Sequence, residues 1–531
     1  MQAMSKSEII ELPIPPRVPL NQLSESLEAQ LPRSRVLDLK CSFHDTFDWR
    51  LFRAGLCLAG YTGSEDPRLV LRRLADGKVL AWQGEVREPP YFVWDLADQD
   101  LRELLDPVAE MRSLGEQLSL IATGALRVSE DGQTRLSLLH CRLASKIDTP
   151  GHPLGDWLLL EGRMEAGGPA ALLMATLAQR YAIDTAAEPL ILHALSAEAR
   201  RPENPTPSPV LALDPAQRAD SATRAILLRL LQAMEVNEPG LLDGRDTEFL
   251  HDFRVAVRRT RSALGQVKAV LPPRTVARFV PAFAWLGQIT SLPRDLDVYL
   301  LGFEDLRAQV PPDLQPALEP LKELIKEKRV AAHRALARQL DSGRYKRLKL
   351  SWRRVLQASP PRRPRAANAR RPIGEVADER ILKVFRRVLK QGKAIADDSP
   401  DEQLHELRKS CKKLRYLLEF FQSLYPNDRI RALIKHLKGF QNHLGELQDL
   451  SAQIQTLYAL GQELRSRRAT EAETLLAMGA LLGHLDRQRR KLRESFERSF
   501  KEFAGAENHA HYRRLFSGQR TRLQIPGETR E

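Results

Sequence analysis

Two short segments of the chain repeat one pattern of histidine and basic residues. The first runs from His251 to Arg261 and reads HDFRVAVRRTR, and the second runs from His405 to Arg415 and reads HELRKSCKKLR. Aligned without a gap, the copies pair His251 with His405, Arg254 with Arg408, Arg258 with Lys412, Arg259 with Lys413, and Arg261 with Arg415, and the second copy adds Lys409. Guanidinium, ammonium and imidazole groups donate hydrogen bonds to phosphate oxygens, so the repeated pattern indicates a polyanion site.

The spacing of these residues predicts that each copy lies on an amphipathic helix. At 100° per residue, His251, Arg254, Arg258 and Arg261 fall within about an 80° arc, and Leu407, Cys411 and Leu414 form an apolar stripe in the second copy. Cations at such spacings repel each other by roughly 0.2–0.5 kcal/mol per pair. The stripe is about 15 Å long, so an anionic chain lying along it would relieve this repulsion.

Other roles for the two histidines were weighed against phosphate binding. A metal site is disfavoured because guanidinium and ammonium groups that follow each histidine repel a cation. General-base or phosphohistidine chemistry lacks a nucleophile and an orienting carboxylate in the same motif. A buried structural histidine satisfied by a nearby aspartate stays open. We predict hydrogen-bond donation to phosphate, with no metal and no cofactor.

The nature of the polyanion follows from what the stripes lack. Proteins that bind nucleic acid usually combine basic residues with exposed aromatics that stack on bases, and neither stripe has an aromatic between its basic positions. A solvated basic face is the alternative for a single charge run, but a duplicated run with a histidine at each head argues for a site. Bare phosphate fits best, and nucleic acid is the second choice.

Charge is distributed unevenly along the 531 residues. Residues 1–210 hold 22 basic and 29 acidic side chains, a net of −7, whereas residues 211–531 hold 60 and 39, a net of +21. The C-terminal part is therefore predicted to prefer polyanions. Neither a signal-peptide pattern nor an apolar run long enough to span a membrane occurs, and four scattered cysteines fit reduced packing residues, so we expect a cytoplasmic protein.

The paired motifs resemble the CHAD domain, the conserved-histidine α-helical domain. Leu286-Gly287 followed by Arg294-Asp295-Leu-Asp297-Val resembles a second segment of that family, and Leu444-Gly445-Glu-Leu-Gln-Asp449 resembles its counterpart in the second half. The resemblance covers about residues 212–510. It implies two helical bundles related by pseudo-twofold symmetry, a basic channel, and binding of inorganic polyphosphate.

The N-terminal part reads as an antiparallel β domain. Strands are expected at 36–43, 70–74, 79–82, 124–128, 136–144 and 157–164, with hairpin turns at Asp76-Gly77 and Asp131-Gly132, before a helix at 170–181. This order resembles a CYTH domain, the triphosphate-tunnel fold, with His44-Asp45-Thr46 and Leu159-Leu160-Glu161-Gly162 as the similar segments.

Departures from that family predict a degenerate domain without catalysis. Val36 stands where the family has its first metal-holding carboxylate, and Leu58-Ala-Gly-Tyr61 stands where it has arginines for the triphosphate. Metal-assisted phosphoryl chemistry needs both kinds of residue.

The expected organisation is α+β, with a CYTH-like antiparallel β domain followed by an all-α CHAD domain of two pseudo-twofold-related bundles. Its predicted parts are a leader at 1–32, the CYTH-like domain at 33–198, a proline-rich linker at 199–211, repeat 1 at 212–357, a basic linker at 358–375, repeat 2 at 376–510 and a tail at 511–531. The leader is expected to have no core of its own, and the basic linker to be disordered. Ser399 is expected to cap the helix that carries the second motif.

Two further helices add second-tier candidates for polyphosphate binding. These are Lys322, Lys326, Arg329 and His333 on a helix at 316–340, and Lys383, Arg386, Arg387 and Lys390 on a helix at 376–393. The sequence therefore predicts a protein that binds inorganic polyphosphate and associates with polyphosphate granules. The alternatives are a CYTH-type metal-dependent triphosphatase with a CHAD accessory domain, and a nonspecific nucleic-acid-binding protein.

Overall fold

The structure, a computed structural model, describes residues 8–65, 67–89, 91–144, 151–185, 187–198, 211–244, 246–396, 398–467 and 471–517. The chain divides into two compact units. One comprises residues 1–205 with 244–248, and the other comprises 206–243 with 249–531. The predicted proline-rich linker at 199–211 lies outside the described residues except for its last position.

The first unit is built on one antiparallel sheet of eight strands. The strands are β1 (Glu8–Pro13), β2 (Arg33–Thr46), β3 (Leu56–Gly63), β4 (Arg68–Arg73), β5 (Val79–Gln83), β6 (Leu114–Val128), β7 (Arg135–Leu143) and β8 (Pro153–Gly162). Their order is β1-β8-β7-β6-β2-β3-β4-β5. Gly77 and Gly132 have φ of 67° and 73° in the two predicted hairpin turns, a conformation that glycine adopts without steric cost.

Short helices complete this unit, namely α1 (Leu20–Ser26), α2 (Arg50–Arg53), α3 (Gln99–Ala109), α4 (Pro169–Tyr181) and α5 (Leu190–Ala197). The sheet is curled so that its two edges meet. Ile9 N in β1, at one edge, donates to Gly77 O in the β4–β5 turn, at the other edge, at 2.9 Å. Apolar residues from alternate positions of the strands cover the concave face, and α5 packs against them through Leu190, Ile191, Ala194 and Leu195.

The expectation of a leader without a core at 1–32 was wrong for its described residues. Strand β1 pairs with β8 along six positions, from Glu8 opposite Gly162 to Pro13 opposite Trp157. Leu23 and Leu27 are buried in a cluster with residues of β7 and β8. The prolines suggested an extended segment, but the alternating apolar residues at its start provide an edge strand.

The second unit is helical, with thirteen α-helices in the part that the structure describes. They are α6 (Ala219–Asp243), α7 (Thr247–Gln266), α8 (Pro273–Ile289), α9 (Ser291–Leu301), α10 (Phe303–Arg307), α11 (Glu319–Asp341), α12 (Gly343–Gln357), α13 (Ile373–Lys393), α14 (Asp401–Phe420), α15 (Asn427–Ser466), α16 (Ala472–Glu494), α17 (Phe496–Phe503) and α18 (Ala506–Phe516).

These helices repeat at a nearly constant offset. Helix α7 and helix α14 have identical lengths and begin 154 residues apart, at Thr247 and Asp401. The same offset relates the starts of α8 and α15, Pro273 and Asn427. Tyr299 and Gln453, which stand at equivalent positions, are in contact through a hydrogen bond of 3.0 Å from Tyr299 Oη to Gln453 O, as is possible only close to a twofold axis. The first half differs in breaking its long helix at Thr290, where α15 continues.

The basic linker at 358–375 was expected to be disordered, and this was wrong. Ala369 is 1% exposed, and Asn368 N donates to Ala269 O at 2.8 Å. Ala219 N donates to Arg371 O at 2.9 Å at the start of α6. Small side chains and an asparagine, placed among the arginines, supply the contacts that composition alone did not indicate.

One boundary and one cap also differ from expectation. Helix α18 runs past the predicted domain end at 510, and its Tyr512 stacks on Phe385 at 3.8 Å between ring centroids. The rest of the predicted tail, from 518, lies outside the described residues. Pro400 rather than Ser399 is at the N-cap of α14, because the Ser399 hydroxyl instead accepts from Ala396 N at 3.0 Å.

The sequence also predicted that no segment spans a membrane and that the four cysteines are reduced packing residues. None of the helices that the structure describes is both long and apolar enough to cross a membrane. Cys41, Cys57, Cys141 and Cys411 are all buried and unpaired, as expected of packing residues.

Candidate polyanion site

The two motif helices face each other through their basic stripes. The guanidinium carbon of Arg258, on α7, lies 5.9 Å from the centre of the Tyr416 ring on α14. Arg259 on α7 donates to Glu419 on α14. The duplicated motifs, 154 residues apart in sequence, are therefore adjacent in the fold.

Arg254 and Arg261 are held against helix α8 in the first repeat. Arg254 Nη1 donates to Gly287 O at 3.1 Å, and its Nη2 donates to Ser291 Oγ at 2.9 Å. A Cβ at position 287 would lie 2.7 Å from Arg261 Nη1, so a larger residue there would displace this guanidinium from its position across the helix. The Leu286-Gly287 segment found in the sequence therefore positions two cations of the stripe.

A cavity of about 370 Å³ opens beside these residues. Its lining consists of Arg254, Val257, Arg258, Arg261, Gly287, Gln288 and Ser291. Among the described residues, Arg258 and Arg261 have neither a hydrogen bond nor an ion pair to a side chain or backbone group. The cavity thus presents guanidinium donors that the protein itself does not use.

The second stripe is oriented by polar residues of α15. His405 Nδ1 lies 2.7 Å from Gln448 Oε1, and Arg408 Nη2 donates to Asp449 Oδ1 at 3.1 Å. His251, the equivalent of His405, is partly exposed one turn before Arg254. The contact with Gln448 fixes the orientation of the His405 ring, and hydrogen-bond donation to phosphate by the two histidines stays a prediction.

Lys412 is the most strongly perturbed cation of the site. Burial, together with repulsion from the neighbouring guanidinium groups of Arg408 and Arg258, lowers its pKa to about 7. The side chain has no hydrogen-bond or ion-pair partner within the described part of the chain. Arg258 belongs to the first stripe and Arg408 to the second, so the ammonium group of Lys412 is repelled by cations of both stripes.

Repulsion and burial act on the arginines as well. Burial lowers the pKa of Arg254 and of Arg408, and each is lowered further by Arg258. The Nε atoms of Arg258 and Arg408 are buried without a hydrogen bond. Partly buried cations that repel one another cost stability, and an anion lying between the stripes would offset that cost.

Carboxylates of the two repeats border the site. Asp295 and Asp449 stand at equivalent positions and line one cavity of about 570 Å³ together with Tyr299. Burial raises the pKa of Asp295, Arg254 and Arg294 lower it, and Asp449 raises it again. An anionic chain would be repelled by these groups, so they limit the basic site on that side.

Arg259 and Arg415, both predicted to bind phosphate, share one carboxylate. Arg259 is 7% exposed and ion-paired with Glu419, while Arg415 Nε lies 3.4 Å from Glu419 Oε1. Both guanidinium groups lie within 6 Å of the Tyr416 ring centre, at 5.8 and 5.5 Å. The structure thus gives Arg259 a role in joining the two repeats, and its predicted phosphate contact stays a prediction.

Lys409 and Lys413 lie on another flank of α14. Lys409 is exposed and paired with Glu406 one turn earlier. The pKa of Lys413 is lowered by burial and then by Arg387 on α13, with further contributions from Lys409 and Lys268. The second motif therefore divides into an inner stripe and a separate outer group.

The second-tier candidates also fall into two groups. Lys322 and Lys326 are ion-paired with Glu304 and Glu323. Arg329 Nε and His333 Nε2 contact the fully buried Asp297 at 2.6 and 2.9 Å, which anchors α11 to α9. In contrast, the four basic residues of α13 are exposed and unpaired within the described chain, namely Lys383, Arg386, Arg387 and Lys390.

Several residues of the site were not found from the sequence. Tyr416 and Glu419 carried no signal, because nothing in one sequence distinguishes them from other residues of their helices. Gln448 lies within the Leu444–Asp449 segment that resembled the family, but it was not named as a site residue. Gln288 and Ser291 adjoin the segment that resembled the family and could have been found by extending it. No group of three or more His, Cys, Asp or Glu placed to hold a metal ion occurs among the residues that the structure describes.

The concave face of the N-terminal sheet differs from an open anion site. Arg68 Nη1 donates to Glu161 Oε2 at 3.0 Å, and Arg72 is ion-paired with Glu11. Leu190 N, at the start of α5, donates to Glu11 Oε2 at 2.9 Å. The buried arginines of this face are therefore neutralised by carboxylates, and the apolar side of α5 covers the rest.

Comparison with known proteins finds a match to part of the helical unit. Residues 225–458 match the model of the CHAD domain family. The crystal structure of the CHAD domain from the plant Ricinus communis is similar, at 28% identity over 55% of this chain and 94% of that one, with a TM-score of 0.45. PptA from Streptomyces chartreusis is 17% identical over 54% of this chain and 100% of that one, with a TM-score of 0.41. No curated protein matches the chain.

Proposed function

We propose that the chain, which carries a CHAD domain at residues 225–458, binds inorganic polyphosphate between its two motif helices. One observation supports this most: Arg258 and Lys412, from opposite stripes, lie close enough to affect each other and have no carboxylate partner of their own. A ligand of this kind would place the protein at polyphosphate granules in the cytoplasm.

The chemistry of the site favours a ligand made of phosphate alone. Its polar groups are guanidinium, ammonium, imidazole, hydroxyl and amide, all of which can donate to phosphate oxygens. Tyr416, the aromatic residue nearest the stripes, is 3% exposed and covered by arginines, so it offers no surface on which a base could stack. We therefore place nucleic acid second.

We also propose that the chain is not an enzyme. The inner stripes lack a nucleophile with an orienting base, and the concave face of the N-terminal sheet has its arginines paired with Glu11 and Glu161. An anion that entered there would have to break these buried pairs, which costs several kcal/mol.

A titration of the full-length protein against long-chain polyphosphate, at two salt concentrations, tests the proposed function. We expect tight binding that weakens as salt rises, and a loss of at least tenfold when Arg258 and Lys412 are both changed to alanine. Single-stranded DNA of equal total charge serves as the competing ligand. Equal or tighter binding of DNA, or no effect of the double variant, would contradict the proposal.

A matched control separates local from bulk charge. Lys346 and Lys501 are exposed lysines, on α12 and α17, each paired with a neighbouring carboxylate. Changing both to alanine removes the same charge as the double variant, and we expect less than a twofold loss of affinity.

A further inference from the structure

The second repeat carries a basic surface that is separate from the inner stripes. It consists of Lys383, Arg386, Arg387 and Lys390 on α13 and Lys409 and Lys413 on α14, and we call it the outer face. On α13 these four residues fall within about a 100° arc, while Lys409 and Lys413 are turned by roughly 100° from the inner stripe of α14. On α14, the outer face and the inner stripe therefore lie on adjoining flanks of the helix.

Few carboxylates offset the outer face. Glu406 pairs with Lys409, and the four α13 residues have no ion-pair partner among the residues described. The middle of the ordered basic linker contacts Lys268, because Asn368 Nδ2 donates to Lys268 O at 3.0 Å, and Lys268 acts electrostatically on Lys413. The cations are thus concentrated on one side of the α13–α14 pair.

The first repeat provides an internal comparison. Subtracting 154 from the outer positions gives Arg229, Gln232, Ala233, Val236, Val255 and Arg259. Only Arg229 and Arg259 are basic, and Arg259 is buried and paired with Glu419. The inner stripe is present in both repeats, whereas the outer face occurs in one.

Packing accounts for part of this difference. In the first repeat, α12 contacts α6 through Lys349–Glu238 and Arg353–Glu235 ion pairs. In the second repeat, the exposed flank of α13 has no such cover from the described residues, although Phe385 on its other flank stacks on Tyr512. A helix surface that only has to be solvated would be expected to mix acidic and basic residues. The outer face instead has six basic residues and one carboxylate paired with them, that of Glu406.

We infer that the outer face is a second track for polyphosphate, which long chains reach after filling the inner stripes and short chains do not. This rests on the proposed function. The inner stripe spans about 15 Å, so a chain no longer than that occupies it alone. A longer chain continues around α14 to the outer face. Because the chain is already bound to the inner stripe, this second contact is intramolecular, and it raises the overall affinity.

The test compares two chain lengths on full-length protein. One polyphosphate is no longer than the inner stripe, and the other is several times longer. The outer variant changes Arg387, Lys409 and Lys413 to serine. The inner variant changes Arg258 and Lys412 to alanine, and the control changes the exposed, paired Lys346, Arg490 and Lys501 to serine.

We expect the outer variant to bind the short chain like the unmodified protein and the long chain about tenfold or more weakly. The control should lose less than twofold for either chain, and the inner variant should lose affinity for both. Unchanged long-chain binding by the outer variant, or an equal loss in the control, would overturn the second track. Failure of the unmodified protein to bind either chain would instead overturn the proposed function.

Single-stranded DNA provides a further arm. If the outer variant loses affinity for DNA while its binding of long polyphosphate is unchanged, the outer face serves nucleic acid and the inference is wrong.

Discussion

At the scale of single residues, the site combines cations that nature usually keeps apart. Lys412 shows this most clearly, because burial, Arg408 and Arg258 together bring its pKa to about 7 from 10.5. A charged residue in such surroundings lowers the stability of the ligand-free protein and raises its affinity for an anion. Stability and affinity should therefore respond in opposite directions when it is changed.

Changing Lys412 to methionine should raise the free energy of unfolding and lower the affinity for polyphosphate. The folded-state pKa lies below the unfolded value, so the charge costs stability below pH 10.5 and costs most below pH 7. After allowance for solvent screening we expect a gain on the order of 1–2 kcal/mol at pH 7. Urea unfolding at pH 7 and at pH 10.5 measures it, and a gain that is equal at both would contradict the assignment.

The same lysine should make binding depend on pH. Bound phosphate favours the protonated amine, so the protein takes up a proton on binding above pH 7, and affinity should fall as pH rises from 7 to 9. Lys412→Arg keeps its charge throughout this range and should flatten the profile. Fluorescence titrations at constant ionic strength decide the point, and parallel profiles for the two proteins would exclude Lys412 as the titrating group.

Arg259 should affect stability more than binding. Its ion pair with Glu419 is largely buried, and removing one partner leaves the other charge without compensation. We expect Arg259→Ala to cost about 3 kcal/mol of unfolding free energy, whereas Arg258→Ala costs little. Denaturant unfolding of both variants tests this. A larger loss of stability for Arg258→Ala would reverse the roles given to these neighbours.

At the scale of elements, helix periodicity was the part of the fold that the sequence expressed most directly. Helices α7 and α14 follow from the repeated motif and its apolar stripe, whereas the pseudo-twofold relation between the two halves was implied by the family resemblance. Strand β1 and the ordered basic linker did not follow, because their structure depends on partners distant in sequence. Strand β3, with its Leu58-Ala-Gly-Tyr61 segment, was read only as a departure from a family pattern.

The inner and outer residues of the second motif could not be separated by the same means. Lys412 and Lys413 are neighbours in sequence, and only the positions of α7 and α13 show which of them faces Arg258 and which faces Arg387. The same is true of Arg258 and Arg259, of which only the second finds a carboxylate, on a helix 160 residues further along the chain.

Each inner stripe should contribute to one salt-dependent site. For single-stranded polyanions log K falls with log salt by about 0.7 per phosphate neutralised, so removing two cations should reduce the slope by about one to one and a half. We expect this for Arg254→Ala with Arg258→Ala, and equally for Arg408→Ala with Lys412→Ala. Binding constants at four salt concentrations give the slopes. If one pair leaves both affinity and slope unchanged, the ligand lies on a single repeat.

At the scale of the whole molecule, charge and chemistry separate the two units. The C-terminal residues carry a net charge of +21 and the N-terminal residues a net of −7. Composition alone indicated this division, but not how the N-terminal arginines are used. Arg68 and Arg72 lie on strand β4 and point to the concave face, yet Glu161 and Glu11 neutralise them.

The chain should therefore show no triphosphatase activity. Entry of a triphosphate would require the Arg72–Glu11 pair to separate, and Leu190 N at the start of α5 would lose its acceptor on the same carboxylate. Breaking a buried pair costs several kcal/mol, more than one triphosphate contact returns. Phosphate release from ATP, thiamine triphosphate and tripolyphosphate, with Mg²⁺ or Mn²⁺, measures the activity.

A Glu11→Gln variant provides the control for that assay, because it frees Arg72 while keeping the side-chain volume. We expect it to be less stable than the unmodified protein, since Arg72 is 3% exposed and would lose its counter-charge, and equally inactive, since Arg68 stays paired with Glu161. Metal-dependent turnover by the unmodified chain, lost in the variant, would show instead that the Glu11–Arg72 pair belongs to an active centre.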